Sequence, residues 1–133
     1  MIIALKSRAV KYISHVYAGK IHDFTLLKEE LPPELNWFEK FHVKVDLGYQ
    51  GIANQYSFKK LSIPHKKSKN NPLTDKQKEE NKQLAAERII VEHSIGGIKR
   101  YRCLSDRMRL HDFVFYDVLL GVCAGLWNFY LPN

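Results

Sequence analysis

The sequence predicts a mixed α/β domain in which helices outweigh strands, with the helical weight towards the C-terminus. Three observations lead there. Residues 9–16, 41–45 and 57–63 are runs of strand length that carry Val, Ile, Tyr and Phe. From Asp75 to about Ile95 the apolar residues return with a helical period, and a last apolar stretch from His111 to about Tyr130 is too long for a strand. With 133 residues, 45% hydrophobic and 26% charged, the chain can bury roughly two-thirds of its unfolded surface. A single domain over residues 1–133 is expected.

In order, Ala9 to Val16 is a strand marked by Val10 and Tyr12, with too little chain before it for a hairpin partner. Ala18-Gly19-Lys20 turns, and His22-Asp23 leads into a short helix from Phe24 to Leu31 that Pro32-Pro33 stops. Phe41 to Val45 is a second strand and delivers Asp46 to its C-terminal end, where α/β sheets bind ligands. Leu47 to Gly51 then turns, with Gly48 and Gly51 able to take φ > 0. Ser57 to Ile63 holds a short strand, and His65 to Asn71 a basic loop. Thr74 and Gln77 form a capping box for the long helix. Gly96-Gly97, at about 1 kcal/mol per glycine in a helix interior, is expected to end or kink it. After a basic connection from Arg100 to Arg109, the final helix is apolar enough to be core. Asp117 and Asn128 interrupt it and argue against a membrane span.

The long helix carries the charged residues of most interest. With Asn81 at zero and about 100° per residue, Arg88 falls at about −20°, Glu92 at about +20° and Lys99 near 0°. Leu84, Val91, Ile95 and Ile98 flank this line on one side and Ala86, Ile89 and Ile90 on the other, so partly buried surroundings are expected. Desolvating an ion costs several kcal/mol, so something must meet Glu92: an arginine, a second carboxylate sharing a metal, or a phosphate. Arg88, four residues earlier, is the nearest ion-pair partner; a plain solvated stripe is the other reading. If the helix packs beside the second strand, Asp46 and Glu92 converge, and a shared hard cation such as Mg²⁺ or Mn²⁺ would relieve their repulsion.

The formal net charge of +7 is unevenly placed, with 14 Lys or Arg against 6 Asp or Glu in residues 59–109 and 7 against 8 elsewhere. Such asymmetry favours a polyanionic partner. Lys59, Lys60, Lys66, Lys67, Lys69 and the cluster from Arg100 to Arg109, with Arg102 within it, are candidates for a strip that follows DNA phosphates. Tyr49, Tyr56 and Tyr101 lie near it as either stacking or core residues. None of the six histidines forms an HxH or HExxH pattern. Cys103 and Cys123, 20 apart and without a CxxC, are read as packing residues of a reduced, intracellular protein.

Three segments, GKIHDF (19–24), VDLGYQGI (45–52) and ERIIVEHSIGGIKRYR (87–102), resemble in that order the C-terminal part of the catalytic domain of DDE transposases from bacterial insertion sequences and their Harbinger-like relatives. The resemblance implies a ribonuclease H-like fold, here incomplete, in which two Asp and one Glu bind two divalent metals, Mg²⁺ or Mn²⁺, for hydrolysis and strand transfer at DNA phosphodiesters. Asp46 matches the second Asp and Glu92 the Glu. Arg88, Glu92 and Lys99 fit the helix signature, whose leading Tyr is Ala85 here. By the same resemblance Lys99 touches phosphate near a transposon end, Arg88 supports the Glu, and Asp23 holds a supporting position rather than a metal ligand's.

The first Asp of the family triad and the DNA-recognition segments have no counterpart in these residues. The resemblance therefore implies a transposase fragment, inactive alone, whose partners are transposon-end DNA and the N-terminal part of the enzyme or an intact homologue. No membrane partner is expected, and the location would be cytoplasmic and nucleoid-associated. The alternatives are a DNA-binding inhibitor or regulator of an intact transposase, and a structural helical module in which Glu92 and Arg88 pair internally.

Overall fold

The computed structural model describes residues 1–17, 21–68, 72–106 and 112–132. Its elements are β1 (Ile2–Ile3), β2 (Val10–Tyr12), α1 (Asp23–Glu30), β3 (His42–Lys44), two 3-10 turns (Leu47–Tyr49 and Ile52–Asn54), β4 (Lys60–Ser62), α2 (Asp75–Lys99), α3 (Arg102–Ser105) and α4 (Phe113–Tyr130). The fold is mixed α/β, about half helical, with a few short strands. Two compact units divide it: Met1–Ala18 with Ala86–Asn133, and Gly19–Ala85.

In the first unit, β1 and β2 pair antiparallel, Ile2 opposite Tyr12 and Ile3 opposite Val10. The expectation that β2 lacks a hairpin partner is corrected: two residues suffice, because Ala4 N–H bonds to the Ala9 carbonyl at 2.9 Å and Arg8 N–H to the Ala4 carbonyl at 2.7 Å, closing the connection. Arg8 takes φ 59° to do so, a left-handed conformation uncommon for a side-chain-bearing residue. Val10, Ile98, Cys123 and Ala124 form the core, with Ile3, Ile13, Leu104, Leu119, Leu120 and Trp127 packed against it.

Helix α2 passes through Gly96-Gly97 to Lys99 without ending there. A Cβ on Gly97 would overlap the Trp127 indole, whereas one on Gly96 would meet open space. Gly97 is thus the place where α4 presses its largest side chain onto α2, and packing there outweighs the helix propensity lost.

Helix α4 is not core all round. Tyr116, Leu119, Leu120, Cys123 and Trp127 face inward, while Phe115, Val118, Val122, Leu126 and Phe129 form an exposed stripe along the opposite side. By length and composition it is long and apolar enough to cross a membrane, with mean hydropathy 1.4 over 18 residues. Its two interrupting polar residues have a packing role: Asn128 accepts from Val10 N–H at 2.8 Å and donates to the Val10 carbonyl at 2.9 Å, and Asp117 accepts from Val16 N–H at 2.6 Å. They supply a substitute ladder for the strand segment laid across the helix.

In the second unit, β3 and β4 are parallel, with Val43 opposite Leu61. His22 Nδ1 caps α1 by accepting from Phe24 N–H at 3.3 Å, and Pro32-Pro33 follow its end. Buried Leu31, Phe38, Ile52 and Tyr56 are the core. Phe38 and Phe58 stack with centroids 5.7 Å apart, and the Tyr56 hydroxyl donates to the Leu31 carbonyl at 2.7 Å, tying the connection to the end of α1. Tyr56 is therefore a core residue and not a stacking platform. The capping box of α2 forms as expected, Thr74 N–H to Gln77 Oε1 at 3.0 Å and Gln77 N–H to Thr74 Oγ1 at 3.3 Å.

Asn128→Ala is expected to leave both Val10 backbone groups unmatched and to lower stability by about 2 kcal/mol, read from urea or thermal unfolding.

Candidate functional site

Asp46 stands two residues beyond the end of β3, where the chain leaves the strand and must turn. Its Oδ1 accepts from Leu47 N–H at 2.6 Å and so caps the first 3-10 turn. Gly51, at φ 88°, opens the second. Asp23 opens α1, and its Oδ2 lies 3.9 Å from where a Cβ on Gly48 would stand. The Phe24 ring meets Tyr49 edge-on at 6.5 Å, so α1 packs on the turn that Asp46 caps. Tyr49 records the result: burial first, then the negative charges of Asp23 and Asp46, push its phenol above the ordinary value. The sequence offered no spacing signal that two carboxylates 23 positions apart serve one turn. Both are exposed.

Glu92 belongs to the other unit, on α2. Its Oε1 pairs with Arg88 Nε at 3.2 Å, and both side chains are 60% exposed. The expectation of partly buried surroundings is therefore corrected. The flanking Val91, Ile95 and Ile98 turn inward with buried Ser94, which leaves the Arg88, Glu92 and Lys99 line on the exposed side of the helix. Arginine is the partner that meets Glu92, with part of its carboxylate still open to solvent. Because α2 does not stop at the glycines, Lys99 stays on that line. Among the described residues, no three His, Cys, Asp or Glu side chains gather to hold a metal ion. The carboxylate oxygens of Asp46 in one unit and of Glu92 in the other are each hard donors, of the kind that Mg²⁺ or Mn²⁺ takes.

The basic candidates differ in how they are held. Lys66 and Lys67 are exposed in the loop after β4; Lys69 lies outside the described residues. That loop is pinned by His65, whose N–H donates to Asn81 Oδ1 at 2.8 Å, whose carbonyl accepts from Asn81 Nδ2 at 3.0 Å, and whose Nε2 meets Glu80 Oε2 at 2.7 Å. Within the other unit, Lys99 ends α2 exposed. The Arg100 guanidinium lies over the Tyr101 and Tyr130 rings at 5.2 and 4.7 Å, and its bond to the Tyr101 hydroxyl holds it more firmly protonated. Tyr101 packs against the core with its ring under Arg100, so its aromatic face is already in use. Arg102 pairs with Asp106 at 3.3 Å.

The family model described as DDE superfamily endonuclease matches residues 1–128, and the chain belongs to that family. It is 37% identical over 114 residues to a probable transposase for insertion sequence element IS702 from Microchaete diplosiphon, a match that covers 85% of this chain and 39% of that relative. The chain thus spans about two-fifths of the relative's length. No solved structure matches it.

The carboxylate cluster around Tyr49 can be read directly. Asp23→Asn and Asp46→Asn should each lower the Tyr49 pKa towards the ordinary phenol value of about 10, because a negative neighbour disfavours the phenolate. Burial keeps it above that value in either single variant. Tyrosine ring carbon shifts followed by NMR across alkaline pH check this; an unchanged Tyr49 titration in both variants would remove the cluster.

Proposed function

We propose that this chain is the C-terminal portion of a ribonuclease H-like transposase catalytic domain, acting at transposon-end DNA in the cytoplasm on the nucleoid. The observation that carries the reading is the family match across residues 1–128 with Asp46 placed at a strand end and Glu92 on an exposed helix line. Asp46 and Glu92 would hold the divalent cations, and sharing one Mg²⁺ requires their oxygens within about 4 Å of each other in the working complex. Arg88 would orient the Glu92 carboxylate through its existing ion pair and be released in part as a cation takes its place. Asp23 would hold the Tyr49 turn, and through it the carboxylate of Asp46. Lys99, Arg100 and Arg102 would meet phosphates near the cleavage point, and Lys66, Lys67 and Lys69 would follow the backbone further along. Bound metal ions would supply Lewis-acid stabilisation of the attacking and leaving oxygens.

The 133 residues carry Asp46 and Glu92 without a counterpart of the family's first Asp, so alone they should not nick or join DNA. Two ions about 3.5 to 4 Å apart are needed for the chemistry, and misplacing one by about 1 Å can cost about a hundredfold in rate. With Mg²⁺ or Mn²⁺, supercoiled plasmid should stay intact with the chain alone, and added upstream sequence bearing the Asp should restore nicking. Asp46→Asn or Glu92→Gln should abolish the restored activity. Robust nicking by the 133-residue chain, lost in Glu92→Gln, would overturn this and make Asp23 the third ligand.

DNA binding without sequence preference is expected from the charge distribution. If about five phosphates are neutralised, log K should fall against log salt with a slope of about −4 to −5. Neutralising Lys66, Lys67 and Lys69 together should flatten that slope by about three units, measured by fluorescence anisotropy from low to moderate salt.

A further inference from the structure

Cys103 and Cys123 stand on different helices, yet their Sγ atoms lie 3.9 Å apart within one compact unit. The approach is held by contacts on either side of Cys103. Tyr116 of α4 donates its hydroxyl hydrogen to the Cys103 carbonyl at 3.2 Å, and Leu104 packs into the same core cluster as Cys123. The turn carrying Cys103 is closed by Leu104 N–H to the Tyr101 carbonyl at 2.9 Å and Asp106 N–H to the Arg102 carbonyl at 2.8 Å. Exposure separates the two thiols: Cys103 is exposed, while Cys123 is buried and 3% accessible.

We propose that Cys103 and Cys123 form an oxidative modification site, which closes to an intramolecular disulfide when a two-electron oxidant of the peroxide class reaches Cys103. The Cys103 thiolate sulfur attacks one peroxide oxygen, and the O–O bond breaks. Cys103 becomes a sulfenic acid, and the departing hydroxide takes a proton to leave as water. The Cys123 sulfur then attacks the Cys103 sulfur, the S–O bond breaks, and the second oxygen leaves as water with the Cys123 proton. Two thiols lose two electrons and one hydrogen peroxide becomes two waters, so the exchange balances. Exposure sets the order, and burial together with the neighbouring thiol pushes Cys123 up to about 11, which leaves Cys103 to react first.

A disulfide needs its sulfurs at about 2.05 Å, so each side must yield roughly 1 Å. A four-residue helix and two χ1 rotations can supply that. The bond would fasten α3 to α4 and, with it, the basic turn that carries Arg100 and Arg102. Direct contact between two reduced thiols as simple packing is the competing account, and it predicts no bridge.

The test uses the wild-type chain. After brief exposure to stoichiometric hydrogen peroxide, alkylation under denaturing conditions and mass spectrometry should show a loss of two hydrogens, no alkylated cysteine and one peptide pair joining Cys103 to Cys123. Dithiothreitol should reverse all three. The oxidised chain should melt about 5 to 10 °C above the reduced one, and Cys103→Ser should show neither the bridge nor the shift. Two alkylatable thiols after peroxide, Cys103 sulfinic acid without a bridge, or a disulfide between two copies on a non-reducing gel would each overturn the proposal. Because the bridge is read in the wild-type chain, a variant that fails to fold does not blunt the test.

Discussion

The Arg8 carbonyl oxygen is where three elements of the first unit meet. It accepts from Ser94 Oγ of α2 at 3.2 Å and from Trp127 Nε1 of α4 at 3.1 Å. The fully buried Ser94 hydroxyl also has the Ile90 carbonyl of its own helix within reach at 3.1 Å, so its single hydrogen is shared between α2 and the Arg8 turn, while the Trp127 indole N–H takes the same Arg8 oxygen from α4. Arg8 itself is left-handed, with φ 59°. A backbone conformation costing about 1 kcal/mol or more is therefore held in place by contacts from both sides, and the hairpin, α2 and α4 become one body.

That joint sets the register of α2. Ser94 and Ile98 are pulled inward, Gly97 gives its face to Trp127, and Arg88, Glu92 and Lys99, on the other side of the helix, are left outside. The charged line is exposed as a consequence of packing on the other side of the helix. A glycine that costs helix propensity is what lets the tryptophan approach, and the same approach keeps the last turn helical so that Lys99 remains aligned with Glu92.

The electrostatics of the basic groups follow the same division between groups already engaged and groups left open. Arg100 is clasped by two tyrosine rings and Arg102 by Asp106, whereas Lys66, Lys67 and Lys99 stand exposed. Exposed ion pairs are worth little in water, about 0–1 kcal/mol, so exchanging Asp106 for a phosphate would cost Arg102 little. On the acidic side, Asp46 is engaged by its own turn and Glu92 by Arg88. Both engagements fix the orientation of a carboxylate while leaving it exposed.

By itself the sequence determined what depends on neighbours along the chain. The capping box at Thr74 and Gln77, the stop at Pro32-Pro33, the strand before Asp46, the helix from Asp75 and the family signature in three segments all rest on short-range chemistry, and all were legible. Long-range packing decided the rest. Which way the Arg88, Glu92 and Lys99 line faces depends on where Trp127 lands, thirty residues on from Gly97. That Ile2–Ile3 suffices as a strand depends on the turn at Arg8, that only one side of α4 is buried depends on what lies across it, and that Asp23 shares a turn with Asp46 depends on α1 folding back. Cys103 and Cys123 show the limit most plainly: twenty positions apart they carry no motif, and only the Tyr116 hydroxyl and the burial of Leu104 bring their sulfurs into contact.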